Sequence, residues 1–445
     1  MLCGAGMRTT AFLLSSLALT LACAAGCEVP GPTPPGSNTD DCHDGDTAGC
    51  VVVSSKQRIQ NPDVPAADLD ALVKGSSDFA FDLYGELRAQ PGNLFYSPYS
   101  ISLALAMTWA GAKNQTEADM AATLGFTLPQ AQIHPAFNAL DLALASRGKN
   151  AKASDGQGFR LRIANAIWGQ TGYPIEQPFL DTLGENYGAG LRVVDFHGAP
   201  DASADLINEW VDKNTEGKIK ELVTPDNITP STELVLTNAI YFNAAWLEPF
   251  EAANTKDGTF TKLDGATVTV PMMHGFRDTG YAKGDNYQAL QLAYDGEELS
   301  MILVLPDEGA FDAFESSLDG EKIGEISGAL SEHSVDVTLP KFEFDGSFGL
   351  AKTLAKLGME VAFTPEADFS GISTKSQLMI QDVIHKSFVS VNEAGTEAAA
   401  ATAVIVGDTA APEPATMTLD RPFLFFIRDD ATKAILFVGR VADPS

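Results

Sequence analysis

The side chains that could perform chemistry are few and dispersed in this 445-residue chain. None of its histidines is paired with another ligand at the helical spacing of a metal site. The sequence contains no Gly-x-Ser-x-Gly elbow, no His-Glu-x-x-His pair, no phosphate-binding loop and no Gly-x-Gly-x-x-Gly turn. We therefore expect no catalytic residue, metal or cofactor, and an unrecognised hydrolase is the weaker alternative. The histidines are His43, His134, His197, His274, His333 and His385.

One segment, residues 393–414, has a composition that would allow it to enter a β-sheet as an additional strand. It starts with Glu-Ala-Gly-Thr, continues with small residues, and changes to the β-branched run Val404–Val406. An Ala-rich surface helix is one interpretation, because alanine has the highest helix propensity. The other is a strand that slips into a packed sheet, which needs small side chains at every second position and a hinge such as Gly395. The small residues at period two are Thr396, Ala398, Ala400 and Thr402.

The hydrophobic pattern around this segment predicts one α+β domain over residues 65–445. A long amphipathic helix starts at Leu69, and a helix capped by Ser97 is apolar on nearly all sides as far as Ala112. A further helix over Phe348–Leu357 stops at Gly358. Strands are predicted at Leu161–Trp168, Leu191–Phe196, Leu234–Phe242, Leu299–Leu305, Val335–Phe344 and Leu378–Val391, and a C-terminal hairpin pairs Phe423–Ile427 with Ala434–Val441.

The charge balance excludes one class of partner. The chain has 29 Lys and Arg against 59 Asp and Glu, which is a formal net charge of -30. Such a charge repels nucleic acid and anionic lipid headgroups. We therefore expect no nucleic-acid partner, and contact with a membrane only through a lipid anchor.

Residues 1–26 have the features of an export signal. Arg8 precedes an apolar run from Ala11 to Ala22 that is too short to span a bilayer comfortably. Because Cys23 or Cys27 follows small residues, the segment resembles a bacterial lipoprotein signal, in which that cysteine is acylated. Simple secretion is the alternative. Either interpretation predicts an extracytoplasmic protein, secreted or anchored to the cell envelope.

Residues 27–64 are predicted to be a linker, because their Pro, Gly and Asp content is typical of a stiff, solvated spacer. All five cysteines lie in the first fifty residues, so the folded body has no thiol chemistry. A bridge between Cys42 and Cys50 is compatible with an oxidising compartment.

Several motifs, in order along the chain, resemble the serpin family of protease inhibitors. The segment after Glu393 is similar to the family's reactive-loop hinge, and the likeness extends from about Asp68 to the end of the chain. The other motifs that carry it are Asn93-Leu-Phe-Tyr-Ser-Pro-Tyr-Ser100, Leu236-Thr-Asn-Ala-Ile-Tyr-Phe-Asn-Ala-Ala-Trp246, Leu339-Pro-Lys-Phe342 and Met417-Thr-Leu-Asp-Arg-Pro-Phe-Leu-Phe-Phe-Ile427.

The resemblance implies a fold with three β-sheets, about nine helices and an exposed reactive-centre loop. It also implies a suicide mechanism, in which a serine protease cleaves the loop, forms an acyl-enzyme, and is trapped as the loop inserts into the central sheet. Trp246 would lie near the insertion point, and Lys341 would pair with Glu393. A polar cluster beneath the sheet would consist of Ser97, Ser100, Asn238 and His385.

The cleaved bond follows from the length of the loop in the family. About sixteen residues after Glu393 lies the bond Thr409–Ala410, with a shift of one or two residues left open. The sequence has no Lys or Arg from Glu393 to Asp420, so trypsin-like proteases have no basic side chain to recognise. The resemblance therefore favours elastase-like or subtilisin-like targets and a monomeric inhibitor. A non-inhibitory serpin, acting as a binding or chaperone-like module, is the alternative.

Overall fold

The structure is a computed structural model that describes residues 50–149, 151, 159–375, 377–396 and 414–445. The signal at residues 1–26 is therefore outside the described part, and its prediction stays a prediction. The site residues outside the described part are Cys23, Cys27, Ala398, Ala400, Thr402, Thr409 and Ala410.

The helices follow the apolar pattern of the sequence. The predicted first helix is confirmed, and the predicted second helix begins where the Ser97 hydroxyl accepts a hydrogen bond from the Ser100 amide (3.1 Å). All twelve residues of that helix are buried, as its apolar composition requires. Within the described residues the α-helices are α1 Ala66–Leu87, α2 Pro98–Trp109, α3 Asn114–Thr123, α4 Gln130–Ala145, α5 Gln177–Tyr187, α6 Pro200–Asn214, α7 Phe311–Ser316, α8 Gly320–Ala329 and α9 Ala351–Leu354.

The strands form two hydrogen-bonded networks in the described part of the chain. A seven-stranded sheet has the order β1-β4-β3-β5-β13-β12-β11, and a second network has the order β14-β10-β7-β8-β9-β15-β16-β2, with β6 paired to β7. The strands are β1 Cys50–Val52, β2 Leu94–Tyr96, β3 Arg160–Gln170, β4 Leu191–Val194, β5 Leu234–Ala245, β6 Lys256–Thr261, β7 Thr267–Gly284, β8 Tyr287–Ala293, β9 Leu299–Pro306, β10 Ser331–Pro340, β11 Phe342–Gly349, β12 Asp382–Asn392, β13 Gly395–Thr396, β14 Ala415–Thr418, β15 Phe423–Asp429 and β16 Ile435–Val441.

The second network combines two of the three expected sheets. Strand β7 has 18 residues and pairs in succession with β6, with β10 and with β8. One continuous strand therefore links a small sheet, β6-β7-β10-β14, to a larger one, β7-β8-β9-β15-β16-β2. A single long strand can belong to two sheets because twist accumulates along its length.

Several predicted elements have different bounds in the structure; the strand predicted from Leu378, for example, begins at Asp382. The predicted strand Val335–Phe344 is split, because β10 ends at Pro340 and β11 starts at Phe342. The helix predicted from Phe348 begins only at Ala351, since Phe348 still pairs with β12. This helix continues as a π-turn over Ala355–Met359, in which Gly358 has a φ of 129°, a value that only glycine adopts easily.

The last part of the predicted linker packs against the domain. Strand β1 adds an antiparallel edge to β4, and Lys56 Nζ lies 2.9 Å from Glu185 on α5. Arg58 donates to Asn138 Oδ1 (2.8 Å) and pairs with Asp141 (2.6 Å) on α4. Cys50 is disulfide-bonded, with its partner outside the described residues. We call residues 50–60 the N-terminal strap. Of the helices in the described part, none is long and apolar enough to cross a membrane.

Candidate functional site

The site lies where the seven-stranded sheet divides. Strands β5 and β12 pair directly from Asp382–Val235 to Phe388–Tyr241, in parallel. Beyond that pair, the two-residue strand β13 lies between them and is antiparallel to both. The sheet therefore contains the first two residues of an additional strand, and residue 397, the next in the chain, lies outside the described residues.

The residues of β13 are held tightly. Gly395 has a φ of 154°, and a Cβ at this position would lie 2.2 Å from the Ala244 carbonyl oxygen. Only glycine fits this close approach of the backbone. Thr396 is 1% exposed, and its hydroxyl is 2.9 Å from the Tyr294 hydroxyl. Of the predicted hinge residues, Gly395 and Thr396 thus lie inside the sheet at its dividing point.

A stacked aromatic pair lies next to β13, at the end of β5. Trp246 stacks on Tyr294 with 4.8 Å between ring centroids and an interplanar angle of 13°. The Trp246 indole donates to the Asn392 carbonyl (3.0 Å), and its backbone amide donates to the Ala394 carbonyl (2.9 Å). Trp246 therefore holds the turn between β12 and β13 through two hydrogen bonds.

An ion pair fixes the start of the same turn. Lys341 Nζ lies 2.9 Å from Glu393 Oε2, and the Thr255 hydroxyl donates to Glu393 Oε1 at 2.8 Å. Partial burial by itself would raise the pKa of Glu393, but the hydrogen bonds from Lys341 and Thr255 outweigh it and keep that pKa below the ordinary value. The structure thus brings Lys341 and Glu393 together at the base of the loop.

A second set of predicted residues meets in the core beneath the sheet. Asn238 on β5 and His385 on β12 face each other in register, and the imidazole Nδ1 bonds to the Asn238 carbonyl oxygen. Asn238 donates to the Ser100 hydroxyl (2.7 Å), and the Ser97 amide donates to His385 Nε2 (3.2 Å). The four residues predicted as a polar cluster are therefore contiguous, and the Asn238–His385 bond crosses the line where β5 meets β12.

The bonding of His385 determines its protonation state. Its Nε2 accepts a hydrogen from the Ser97 amide, so the single proton lies on Nδ1 and points at Asn238. The side chain is fully buried, and burial lowers the pKa of His385 to about 3. A neutral imidazole is the only form that satisfies both partners.

Sequence analysis did not identify three residues that complete the site. Asn165 on β3 donates to the Ser100 carbonyl (2.9 Å) and accepts from Asn238 (2.6 Å). Tyr294 and Thr255 provide the hydroxyls opposite Thr396 and Glu393. A polar amide within the apolar run 163–168 was a detectable signal for Asn165. Tyr294 and Thr255 had none, because each lies more than 100 residues before its partner in the chain.

Comparison with known proteins gives the same assignment. The family described as Serpin (serine protease inhibitor) matches residues 74–444. An uncharacterized serpin-like protein of Thermococcus kodakarensis is 39% identical over 98% of this chain and 99% of its own. Leukocyte elastase inhibitor of Bos taurus is 38% identical over 84% of this chain and 100% of its own. The thermophilic serpin tengpin in its native state superimposes with a TM-score of 0.78 at 28% identity, over 89% and 99% of the two chains.

The fold and the site together are a central sheet that contains the first two residues of an additional strand, above a buried polar cluster. The chain belongs to the serpin family, and its fold is the α+β serpin fold. The family is described as one of serine protease inhibitors, which supports a protease as the partner.

Proposed function

We propose that this protein traps serine proteases by cleavage and insertion of residues 397–409. The observation that carries the proposal is strand β13, which already occupies the first position between β5 and β12. Continuing its register would pair residue 406 with Leu234, the first residue of β5. The segment before the predicted bond is therefore long enough to fill the whole interval between the two strands.

The chemistry belongs to the protease. Its serine Oγ attacks the carbonyl carbon of the scissile residue, here Thr409, and the C–N bond to Ala410 breaks. An ester then joins the protease to Thr409, and the new amino group of Ala410 leaves with the proton that the protease's base took from the serine. Water would normally hydrolyse the ester, and insertion acts before this step.

The two ends of the loop support separation after cleavage. Strand β13 belongs to the seven-stranded sheet, whereas β14, which begins at Ala415, pairs in parallel with β10 in the other network. After the cut, the piece ending at Thr409 can follow β13 while the piece from Ala410 stays with β14. An inserted run of ten residues at 3.3 Å each would carry the ester roughly 33 Å along the sheet.

The side chains at alternate positions of the loop are compatible with its insertion into the sheet. Thr396 is already buried against Tyr294, so residues 398, 400 and 402 would follow it on the same face of the strand. All three are small in this chain. Glu397 would lie on the opposite face, where a charge is tolerated.

The proposal is tested by incubating the full chain with pancreatic elastase and with subtilisin, followed by denaturing gel electrophoresis. We expect a band at the summed mass that survives SDS, and mass spectrometry of the released peptide should begin it at Ala410. A protease whose serine is blocked beforehand is the control and should give no such band. Cleavage by both proteases without a stable band would refute the trap and favour a non-inhibitory serpin.

The variant T409R tests the predicted bond. It places the only basic side chain between Glu393 and Asp420, so a trypsin-like protease should form the stable band with the variant and not with the natural chain. If T409R is cut by trypsin but only A410R or A411R forms the band, the bond lies one or two residues further on.

A further inference from the structure

The point where the central sheet divides is covered by a lysine from another element. Phe388 and Tyr241 form the last direct pair between β12 and β5 before β13 separates them. Lys218 Nζ lies 5.8 Å from the centroid of each of these two rings. One ammonium group therefore contacts both strands at the site where a new strand must enter.

Lys218 is held in place by the connector between α6 and β5, residues 215–233. Glu216 and Gly217 both have positive φ values (55° and 78°), so the chain reverses direction as α6 ends. The Thr215 hydroxyl accepts from the Ile219 amide (3.1 Å) and donates to the Val211 carbonyl (2.9 Å). Ile219 is buried, which anchors the connector on both sides of Lys218.

A second lysine links the same connector to β12. Lys386 Nζ donates to the Glu221 carbonyl oxygen at 3.0 Å. Further along, Asn208 on α6 accepts from the amides of Leu222 and Val223 (2.8 and 3.0 Å). The connector is thus hydrogen-bonded to both β12 and α6, and Lys218 approaches the sheet from a segment held at several points.

The two cation–π contacts exist only while the sheet is undivided at this pair. Neighbouring strands lie about 4.8 Å apart, so an inserted strand would move the Tyr241 and Phe388 backbones to roughly 10 Å apart. A cation must lie within about 6 Å of a ring centroid to be attracted by it. Because Nζ already lies 5.8 Å from each centroid, an ammonium group held at its present height above the sheet would then lie roughly 7 Å from both rings. Contacts made in only one state shift the balance toward that state.

We propose that Lys218 is a positioning residue that holds β5 and β12 together through its two cation–π contacts and so slows strand insertion. We call this pair of contacts the staple. The inference rests on the proposed function and adds its regulation: the staple keeps the sheet closed until the cleaved loop competes for the interval. Removing it should speed insertion and should also allow insertion without cleavage.

The test measures insertion without a protease. A fluorescent synthetic peptide with the sequence of residues 396–409 is incubated with the uncleaved full chain, and its incorporation is followed on native gels. K218M keeps the apolar stem of the side chain and loses the cation. We expect its annealing half-time to be shorter by about fivefold, the scale of two partly exposed cation–π contacts.

Two matched variants separate the staple from general charge. K218R keeps a cation over both rings and should anneal within about twofold of the natural chain. K220M makes the same charge change two residues along the connector, at an exposed side chain, and should anneal at the natural rate.

Equal half-times for K218M and the natural chain would overturn the staple and leave the proposed trap intact. An acceleration in K220M as large as in K218M would also overturn it, because net charge would then be the cause. Failure of the peptide to anneal to any variant would instead refute strand insertion, and with it both proposals.

Discussion

Two buried histidines, one beneath the dividing sheet and one on α4, must stay neutral in the folded protein. His385 bonds to Asn238 and Ser97, and His134 lies against the Tyr187 hydroxyl (2.7 Å). Burial lowers the pKa of each to about 3, with the charge of Lys113 as a smaller contribution for His134. A protonated His385 would also leave the Ser97 amide without its acceptor.

This arrangement predicts how stability depends on pH. The unfolded chain binds protons near pH 6.5 and the folded chain only near pH 3, so both histidines favour the folded state fully above pH 6.5. As the pH falls from 6.5 to 5, each of the two histidines should lower the free energy of unfolding by about 1.4 kcal/mol per pH unit. Urea-unfolding midpoints measured at pH 7.5, 6 and 5 should fall accordingly.

The variant H385Q isolates one of the two contributions. It should lose about half of the pH dependence whatever its absolute stability, because only His134 then remains. The exposed His333 provides the control, and H333Q should keep the full dependence. A pH slope unchanged in H385Q would contradict the assignment of a neutral, buried imidazole.

At the scale of elements, the decisive strand has only two residues. Strand β13 is stabilised by pairing with both β5 and β12. A tight turn from Asn392 to Gly395 connects β12 to β13, and these two residues pair with each other. The Trp246–Tyr294 stack and the Lys341–Glu393 pair hold this turn from two sides. Residues 393–396 therefore already lie at the dividing point of the sheet in the uncleaved chain.

Under the proposed trapping mechanism, the variant T396R should be cleaved as a substrate without trapping the protease. Residue 396 is buried at the start of the interval, and an unpaired guanidinium there costs about 3 kcal/mol or more. We expect cleavage by elastase to continue while the SDS-stable band decreases by at least tenfold. The outcome is measured as the ratio of complex to cleaved chain on a denaturing gel.

The same substitution on β14 provides the control. Thr416 is exposed on a strand next to the loop, so T416R adds the same charge without entering the interval. It should leave the ratio of complex to cleaved chain unchanged. A T396R protein that still forms the full band would show that insertion does not start at residue 396.

At the scale of the whole molecule, the N-terminal strap completes the edge of the central sheet. Strand β1 covers β4, and the strap continues across α5 and α4 through Lys56 and Arg58. The Ile59 backbone bonds in both directions, to the Glu185 carbonyl (2.9 Å) and from the Asn138 amide (2.8 Å). An uncovered β4 would expose unpaired backbone groups to other copies of the chain.

Removal of the strap should therefore affect both stability and association. A chain that starts at residue 61 should lose about 2 kcal/mol of unfolding free energy relative to one that starts at residue 50, since it loses backbone pairing and the ion pairs of Lys56 and Arg58. Replacing Cys50 by serine in the longer chain keeps the comparison free of disulfides. Urea-unfolding midpoints and size-exclusion chromatography provide the measurements, and identical behaviour of the two chains would contradict this role of the strap.

The features that depend on neighbouring residues could be predicted from the sequence alone. The buried helix after Ser97, the strands around Asn238 and His385, and the C-terminal hairpin follow from hydrophobic period and capping, which are local properties. The hinge was also detectable, because insertion requires glycine followed by small residues at alternate positions. These patterns were sufficient to indicate the family and its fold.

Which residues of different elements meet became clear only from the way those elements pack. Asn165 joins the polar cluster, Tyr294 faces Thr396, and Lys218 lies over two rings because sheet register and the path of one connector place them there. The same holds for the long strand that links two sheets and for the strap that extends the central one. Contacts between residues on different elements depend on how all elements pack at once, and no local pattern specifies that arrangement.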